Sequence, residues 1–398
     1  MKDPFETIKT IPICFQIAIG HCGNDWLHSL FDSHKQILTI PLFNFHDVWR
    51  LNHCHQFIEP EEMFSSWKNY FEGQPDRHAI RKKFLKSESE KETFYRRFYE
   101  LLKLHGVSPN AVYWAIHSAY AHAKNIDLQR IRLIFSQEHF PFEVEQIMES
   151  FPDSFFLTLV RDPRAALAGG FKAAKNQHGH LPDYHFNANI ERWMFVWNFH
   201  QRFRDRLRDR YIIAQNESLN SDLKTGMERI ASALNIDFSE SLLMPSLLGE
   251  PWGMEGESAY VKAESNPIKE QKDFYSPRKA QLRWKANLRL NEVAMIEFLF
   301  SDFMNHFQYK RTTGKGIFWT TLGFFTFLLP SKTLLKHWMN TYPEVQEFKT
   351  VSKKLTSSTR IVWRTMPNPI KFICILLHSM GVRLRYYFIP KYLGIRYD

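Results

Sequence analysis

Hydrophobic positions fall in short strand-length runs separated by stretches of helical spacing. Residues 11–19 form an Ile-rich apolar run, and residues 20–24 follow as a loop. Asp25 then opens an amphipathic stretch with Leu27, Leu30 and Phe31 on one face. A polar, helix-rich region covers about residues 57–103, with dense charge over 77–97. Residues 130–135 and 154–160 are further strand candidates, and the helix predicted over 141–151 separates them. A strand at 211–214 leads into a helix at 223–234, and a helix at 290–307 ends the body. Near-continuous apolar runs alternating with helices predict a parallel sheet covered on both faces.

The last 88 residues follow a different pattern. Residues 317–329 (IFWTTLGFFTFLL) are almost wholly apolar and stop at Pro330, and a shorter run spans 372–377. A membrane span needs roughly 20 such residues, so neither run spans. Two readings stand side by side: an in-plane element on an anionic membrane surface, and a helical appendage packed on the body.

Charge sharpens that division. The chain of 398 residues carries a formal charge of +10. Residues 311–398 hold 14 Lys/Arg and 3 Asp/Glu, a net of +11, so the body sums to −1. A general nucleic-acid surface on the body is thereby disfavoured, and no nucleic-acid partner is expected. Hydrophobic residues make up 44%, too many for a disordered chain. Cys14, Cys22, Cys54 and Cys374 do not make a disulfide framework. The first residues, MKDPFETIKTIPICF, are charged and mixed, so no signal peptide is expected. The expected location is cytoplasmic, with a peripheral position at the inner face of a membrane if the basic tail binds lipid.

Two loops carry candidate chemistry. The first, with Gly20 and Gly23 between strand and helix, is the kind of turn whose backbone N–H groups cradle phosphate. It lacks the Walker Lys, which disfavours a P-loop phosphotransferase. The plainer reading is a tight turn with Asp25 as the helix N-cap. The second follows SFFLTLV: Arg161-Asp162-Pro163-Arg164, with Arg161 at a strand's carboxyl end. Ligands of open α/β sheets bind there, and a guanidinium offers a fork for phosphate. The commoner fate of such an Arg is pairing with a local carboxylate. His53-Cys54-His55 lacks a matched partner pair and reads as a polar loop, so no metal is expected.

GHCGNDWLHSLFDSHKQI, followed about 140 residues later by FPDSFFLTLVRDPRAALAG, resembles the PAPS-dependent sulfotransferases (PAPS is 3′-phosphoadenylyl sulfate). SQEHFP at 136–141, YIIAQNESL at 211–219 with its following helix, and residues 281–309 continue the resemblance in the family's order. It implies an α/β fold with a P-loop-like parallel sheet flanked by helices over residues 1–310; the apolar runs and basic charge beyond it predict a C-terminal helical basic appendage over 311–398. The implied reaction moves a sulfuryl group from PAPS, as co-substrate, to a hydroxyl or amine. The acceptor would be a glycan, a lipid-linked glycan or a small molecule.

By the same resemblance His21, Cys22, Gly23, Asn24, Asp25 and Trp26 form the 5′-phosphosulfate loop, and Arg161 with Gly169 the 3′-phosphate site. His139 is the implied base and Glu138 the runner-up. His21, where the family has Lys or Arg, would stand at the leaving oxygen when protonated. This chain also departs from the family at Cys22, Asn24 and Asp25, and has Gly169 where a Ser is usual. These departures carry the alternative: a catalytically inactive sulfotransferase-like protein that binds a nucleotide or a partner.

Overall fold

The computed structural model describes residues 4–17, 20–41, 43–73, 84–138, 144–178, 183–251, 284–314, 316–329 and 367–388. In chain order the elements begin with α1 (Pro4–Ile8), β1 (Ile13–Ile17), α2 (Asn24–Phe31), β2 (Ile37–Thr39) and α3 (Phe45–Leu51). Next come α4 (Pro60–Gly73), α5 (Glu88–His105), α6 (Pro109–Ala123), β3 (Leu133–Glu138), α7 (Val144–Ser150) and β4 (Phe155–Val160). After these lie α8 (Pro163–His178), α9 (Asp183–Leu207), β5 (Tyr211–Gln215), α10 (Asn216–Ser221) and α11 (Leu223–Ala233). A small hairpin, β6 (Ser246–Leu247) and β7 (Glu250–Pro251), precedes α12 (Leu290–Leu299), α13 (Ser301–His306), α14 (Ile317–Leu328) and α15 (Asn368–Phe388). Two compact units result: residues 1–160 with 203–277, and residues 161–202 with 278–398.

The first unit holds the five-stranded sheet, in the order β2-β3-β1-β4-β5, with every pairing parallel. Side chains alternate faces along each strand, and both faces are covered. On one, Cys14, Phe135, Leu157 and Leu159 pack with Leu27, Leu30 and Phe31 of α2 and with Met227 and Ile230 of α11. On the other, Phe15 meets Tyr113 of α6 at 5.9 Å and Phe151 at 5.6 Å between ring centroids. This two-sided burial is why ICFQI is buried at every position and reads as one apolar run rather than an alternating one.

Local signals set the helix starts. Ser87 accepts the Glu90 N–H at 3.1 Å to cap α5, and Ser108 caps α6 just before Pro109. Asp222 caps α11 through the Thr225 N–H.

Two expectations change, and one strand goes unread. The strand expected at 130–135 lies at Leu133–Glu138, because Ser136, Gln137 and Glu138 pair with Phe15, Gln16 and Ile17 of β1 despite their polarity. β2 has three residues, too few for periodicity to show. The helix expected at 290–307 breaks at Phe300 into α12 and α13.

In the second unit, α14 lies against α12 so closely that a Cβ on Gly323 would sit 2.5 Å from the Ala294 carbonyl oxygen. Arg383 of α15 donates to the carbonyls of Phe327 (2.6 Å) and Leu329 (2.7 Å), satisfying the C-terminal end of α14. Trp193 packs edge-on to Phe300 and Phe303, as expected of a core aromatic. Among the described residues no helix is long and apolar enough to cross a membrane.

Candidate functional site

β1 is the central strand. Its outgoing connection runs toward β2, whereas that of β4, its neighbour, runs toward β5. Connections leaving in opposite directions make the carboxyl ends of β1 and β4 a topological switch point, the usual ligand position in such sheets. The β1–α2 loop is at that end. His21 is exposed with φ 62°, and Gly23 has φ 95°, both in the left-handed region. The chain then enters α2, whose first backbone bond runs from the Leu27 N–H to the Gly23 carbonyl at 3.0 Å. The first N–H groups of any helix lack partners within it and carry its positive end, so this turn has the form of an anion cradle.

Buried polar side chains hold the cradle. Asn216, just beyond β5, donates to the Cys22 carbonyl at 2.9 Å. A Cβ on Gly23 would lie 2.7 Å from that Asn216 amide nitrogen, so only glycine fits here without displacing it. Gln16 of β1 donates to the Asn24 carbonyl at 2.9 Å. Gln137 of β3 donates to the Asp25 carboxylate at 3.1 Å. The helix N-cap is Gly23 and not Asp25. The helix is capped two residues earlier than the sequence implies, leaving Asp25 inside the first turn and bridged sideways to β3.

Below the loop, burial pushes the His28 imidazole down to about 4, against the opposing pull of Asp32 and Asp25. His28 is therefore neutral at neutral pH, and its Nε2 shares a 3.0 Å hydrogen bond with the Thr39 hydroxyl.

Strand alternation separates Gln137 from its neighbour. Gln137 reaches the α2 face, whereas Glu138 reaches the opposite face and the start of α3. Glu138 is fully buried. Its carboxylate accepts the His46 backbone N–H at 3.2 Å and the His46 Nδ1–H at 3.0 Å. His139 lies outside the described residues.

The RDPR segment belongs to the second unit. Arg161 is half-buried directly after β4, and Gly169 is half-buried within α8. Pro163 opens α8, and the Asp162 carboxylate accepts the Arg164 N–H at 2.9 Å. The Arg164 guanidinium pairs with Asp162 and with Glu297 of α12, each at 2.6 Å, and stacks 4.5 Å over Trp284. Glu297 also accepts the Thr312 N–H and hydroxyl, both at 2.8 Å, the Thr313 N–H at 3.0 Å and the Thr313 hydroxyl. Burial alone would raise the Glu297 carboxyl; the Thr312 and Thr313 donors outweigh it and hold the group below the usual carboxylate range.

Thus the structure brings His21 through Trp26 together at one strand end, and sets Glu138 in a buried pair behind it. Cys22, Asn24 and Trp26 are buried, and Asp25 is half-buried. Sequence reasoning missed Gln16, Gln137, His46 and Asn216. The signal for three of them was available: Gln16 and Gln137 are amides inside otherwise apolar strands, and Asn216 follows a strand directly. Among the described residues no group of three His, Cys, Asp or Glu side chains is placed to hold a metal.

No family model matches the chain, and no curated protein matches it by sequence. Solved structures do align with it. The sulfotransferase domain from the curacin biosynthetic pathway is 15% identical, covering 70% of this chain and 92% of that one, with a TM-score of 0.45. The sulfotransferase domain from the Synechococcus PCC 7002 olefin synthase is 15% identical over 70% and 88%, with a TM-score of 0.39. The sulfotransferase STF9 from Mycobacterium avium is 10% identical over 77% and 79%, with a TM-score of 0.38. The chain's own strand order and parallel register make it an α/β protein with a five-stranded central sheet flanked by helices.

Proposed function

We propose that this chain is a sulfotransferase that takes a sulfuryl group from PAPS to a hydroxyl or amine acceptor. The observation that carries the reading is the turn at Gly23: a left-handed glycine, clamped by Asn216, that aims the start of α2 outward from the central strand. Such a turn suits the 5′-phosphosulfate because backbone N–H groups and a helix start favour an anion. The Asp25 carboxylate would repel that anion if it faced it; its bond to Gln137 draws it toward β3.

In the transfer the S–O bond to the phosphate breaks and a new one forms to the acceptor oxygen or nitrogen. The acceptor's proton passes to a base, and His139 takes that role in this reading. Protonated His21 would stabilise the charge on the leaving oxygen. The resemblance assigns the 3′-phosphate to Arg161, with the backbone at Gly169. A glycan, a lipid-linked glycan and a small hydroxyl compound all fit as acceptor.

One observation favours a second reading, a catalytically inactive nucleotide- or partner-binding protein: Glu138, the other base candidate, is buried and committed to His46. Calorimetry with PAP, the 3′,5′-bisphosphate product, tests what the two readings share. Micromolar binding that Arg161→Ala abolishes supports nucleotide binding, and absence of binding at millimolar PAP sinks the sulfotransferase reading. Acceptor-dependent release of PAP from PAPS then separates enzyme from binder, and its loss in His139→Ala identifies the base.

A further inference from the structure

Among the described residues, the exposed large hydrophobic side chains concentrate at α14 and α15: Ile317, Phe318, Phe325 and Leu329 at the first, Ile370, Phe372, Ile373 and Leu377 on the second. Their spacing is ordered. Phe318, Leu322, Phe325 and Leu329 recur at intervals of 4, 3 and 4 residues, which places them on one side of a helix. The other side of α14 is occupied, with Gly323 against α12 and Phe327 buried. Ile370, Ile373, Leu377 and Leu384 make an equivalent stripe on α15, while Lys371 and Arg383 on its other faces are buried. Residues 316–329 contain no charged side chain.

Most of each stripe remains exposed after the helix has packed, with Leu322 and Leu384 half-buried. An exposed apolar surface of this kind marks a partner, and charge identifies which. Residues 311–398 carry 14 Lys/Arg against 3 Asp/Glu, an excess that survives subtraction of the buried Lys371 and Arg383. Apolar stripes within a basic segment match the two components of an anionic bilayer surface, acyl chains below and negative headgroups above. Neither helix is both long and apolar enough to cross it.

We propose that α14 and α15 lie in the plane of an anionic lipid bilayer, inserting Phe318, Phe325, Leu329, Ile370, Ile373 and Leu377 at its headgroup–acyl boundary. Arg383 couples the two helices by holding the C-terminal carbonyls of α14. The proposal is independent of sulfuryl transfer and stands whether or not the chain is an enzyme.

Co-sedimentation of the full chain with vesicles tests it. Binding is expected to equimolar phosphatidylglycerol–phosphatidylcholine vesicles, and to be much weaker to phosphatidylcholine alone or in high salt. The paired changes Phe318→Ser with Phe325→Ser, and Ile373→Ser with Leu377→Ser, alter side chains that are 65%, 51%, 53% and 64% exposed, so unchanged melting is expected. Each pair should lower the partition coefficient at least about tenfold, given the transfer free energy of large apolar side chains. Equal binding to both vesicle types, or either pair binding as the unaltered chain does, overturns the proposal. So does a lipid-free chain that is dimeric and becomes monomeric on Phe318→Ser with Phe325→Ser, because a second copy then covers the surface.

Discussion

Arg164 sits between two buried carboxylates, and replacing it with Leu is the most direct perturbation of the second unit. The change keeps much of the side-chain bulk over Trp284 and removes the guanidinium that lies 2.6 Å from both Asp162 and Glu297. Glu297 would keep its donors from Thr312 and Thr313. Asp162 would keep the backbone N–H of residue 164 and lose its guanidinium partner. Breaking a buried pair by removing one partner costs about 3–5 kcal/mol, and here both carboxylates stay buried without their guanidinium. For a unit of this size each kcal/mol lowers the melting midpoint by roughly 2–4 °C, so Arg164→Leu should melt about 6–20 °C lower. Glu297→Leu in the same background should add less than it costs alone, since coupled neighbours are not additive. Thermal unfolding followed by circular dichroism reads both effects. A fall of less than about 2 °C for Arg164→Leu, or strict additivity with Glu297→Leu, would refute the reasoning that this network holds residues 312–313 to α12.

Two further predictions concern the first unit. Burial pushes both His28 and His117 down to about 4. Their neutral forms stabilise the fold fully above the ordinary histidine value of 6.5, and that stability is lost as pH falls toward 4 because the unfolded chain takes up the protons. Urea midpoints should therefore drop between pH 6.5 and 4, less steeply in His117→Phe; identical slopes for the two proteins would remove His117 from the account. Gly23→Ala forces a side chain into a left-handed backbone and against the Asn216 amide. It should cost about 1–2 kcal/mol from the backbone alone and weaken PAP binding, and a urea midpoint equal to that of the unaltered chain contradicts the clamp.

Much of this architecture was legible in the chain. The runs read at 11–19, 154–160 and 211–214 overlap β1, β4 and β5, because strands of a covered parallel sheet are mostly apolar. The helix after Asp222 was legible for a different reason: its cap, first turn and apolar stripe all lie within one short segment. β2 and the polar half of β3 escaped, since their pairing is with β1 and β3, far away in sequence.

The same division runs through the candidate site. Composition and order alone determined that positive charge gathers in residues 311–398, that a glycine turn follows the first strand, and that RDPR follows the strand-like run at 154–160. Which side chains hold those features was decided only by tertiary contact. Asn216 reaches Cys22 across 194 residues, and Glu138 reaches His46 across 92. Arg164, which the sequence leaves no different from Arg161 three residues before it, is committed to Glu297 from 133 residues away. Hydrophobic periodicity is local and therefore written along the chain. The partner of a buried polar group is set by where the packed elements bring their ends together, and no short window of sequence contains both.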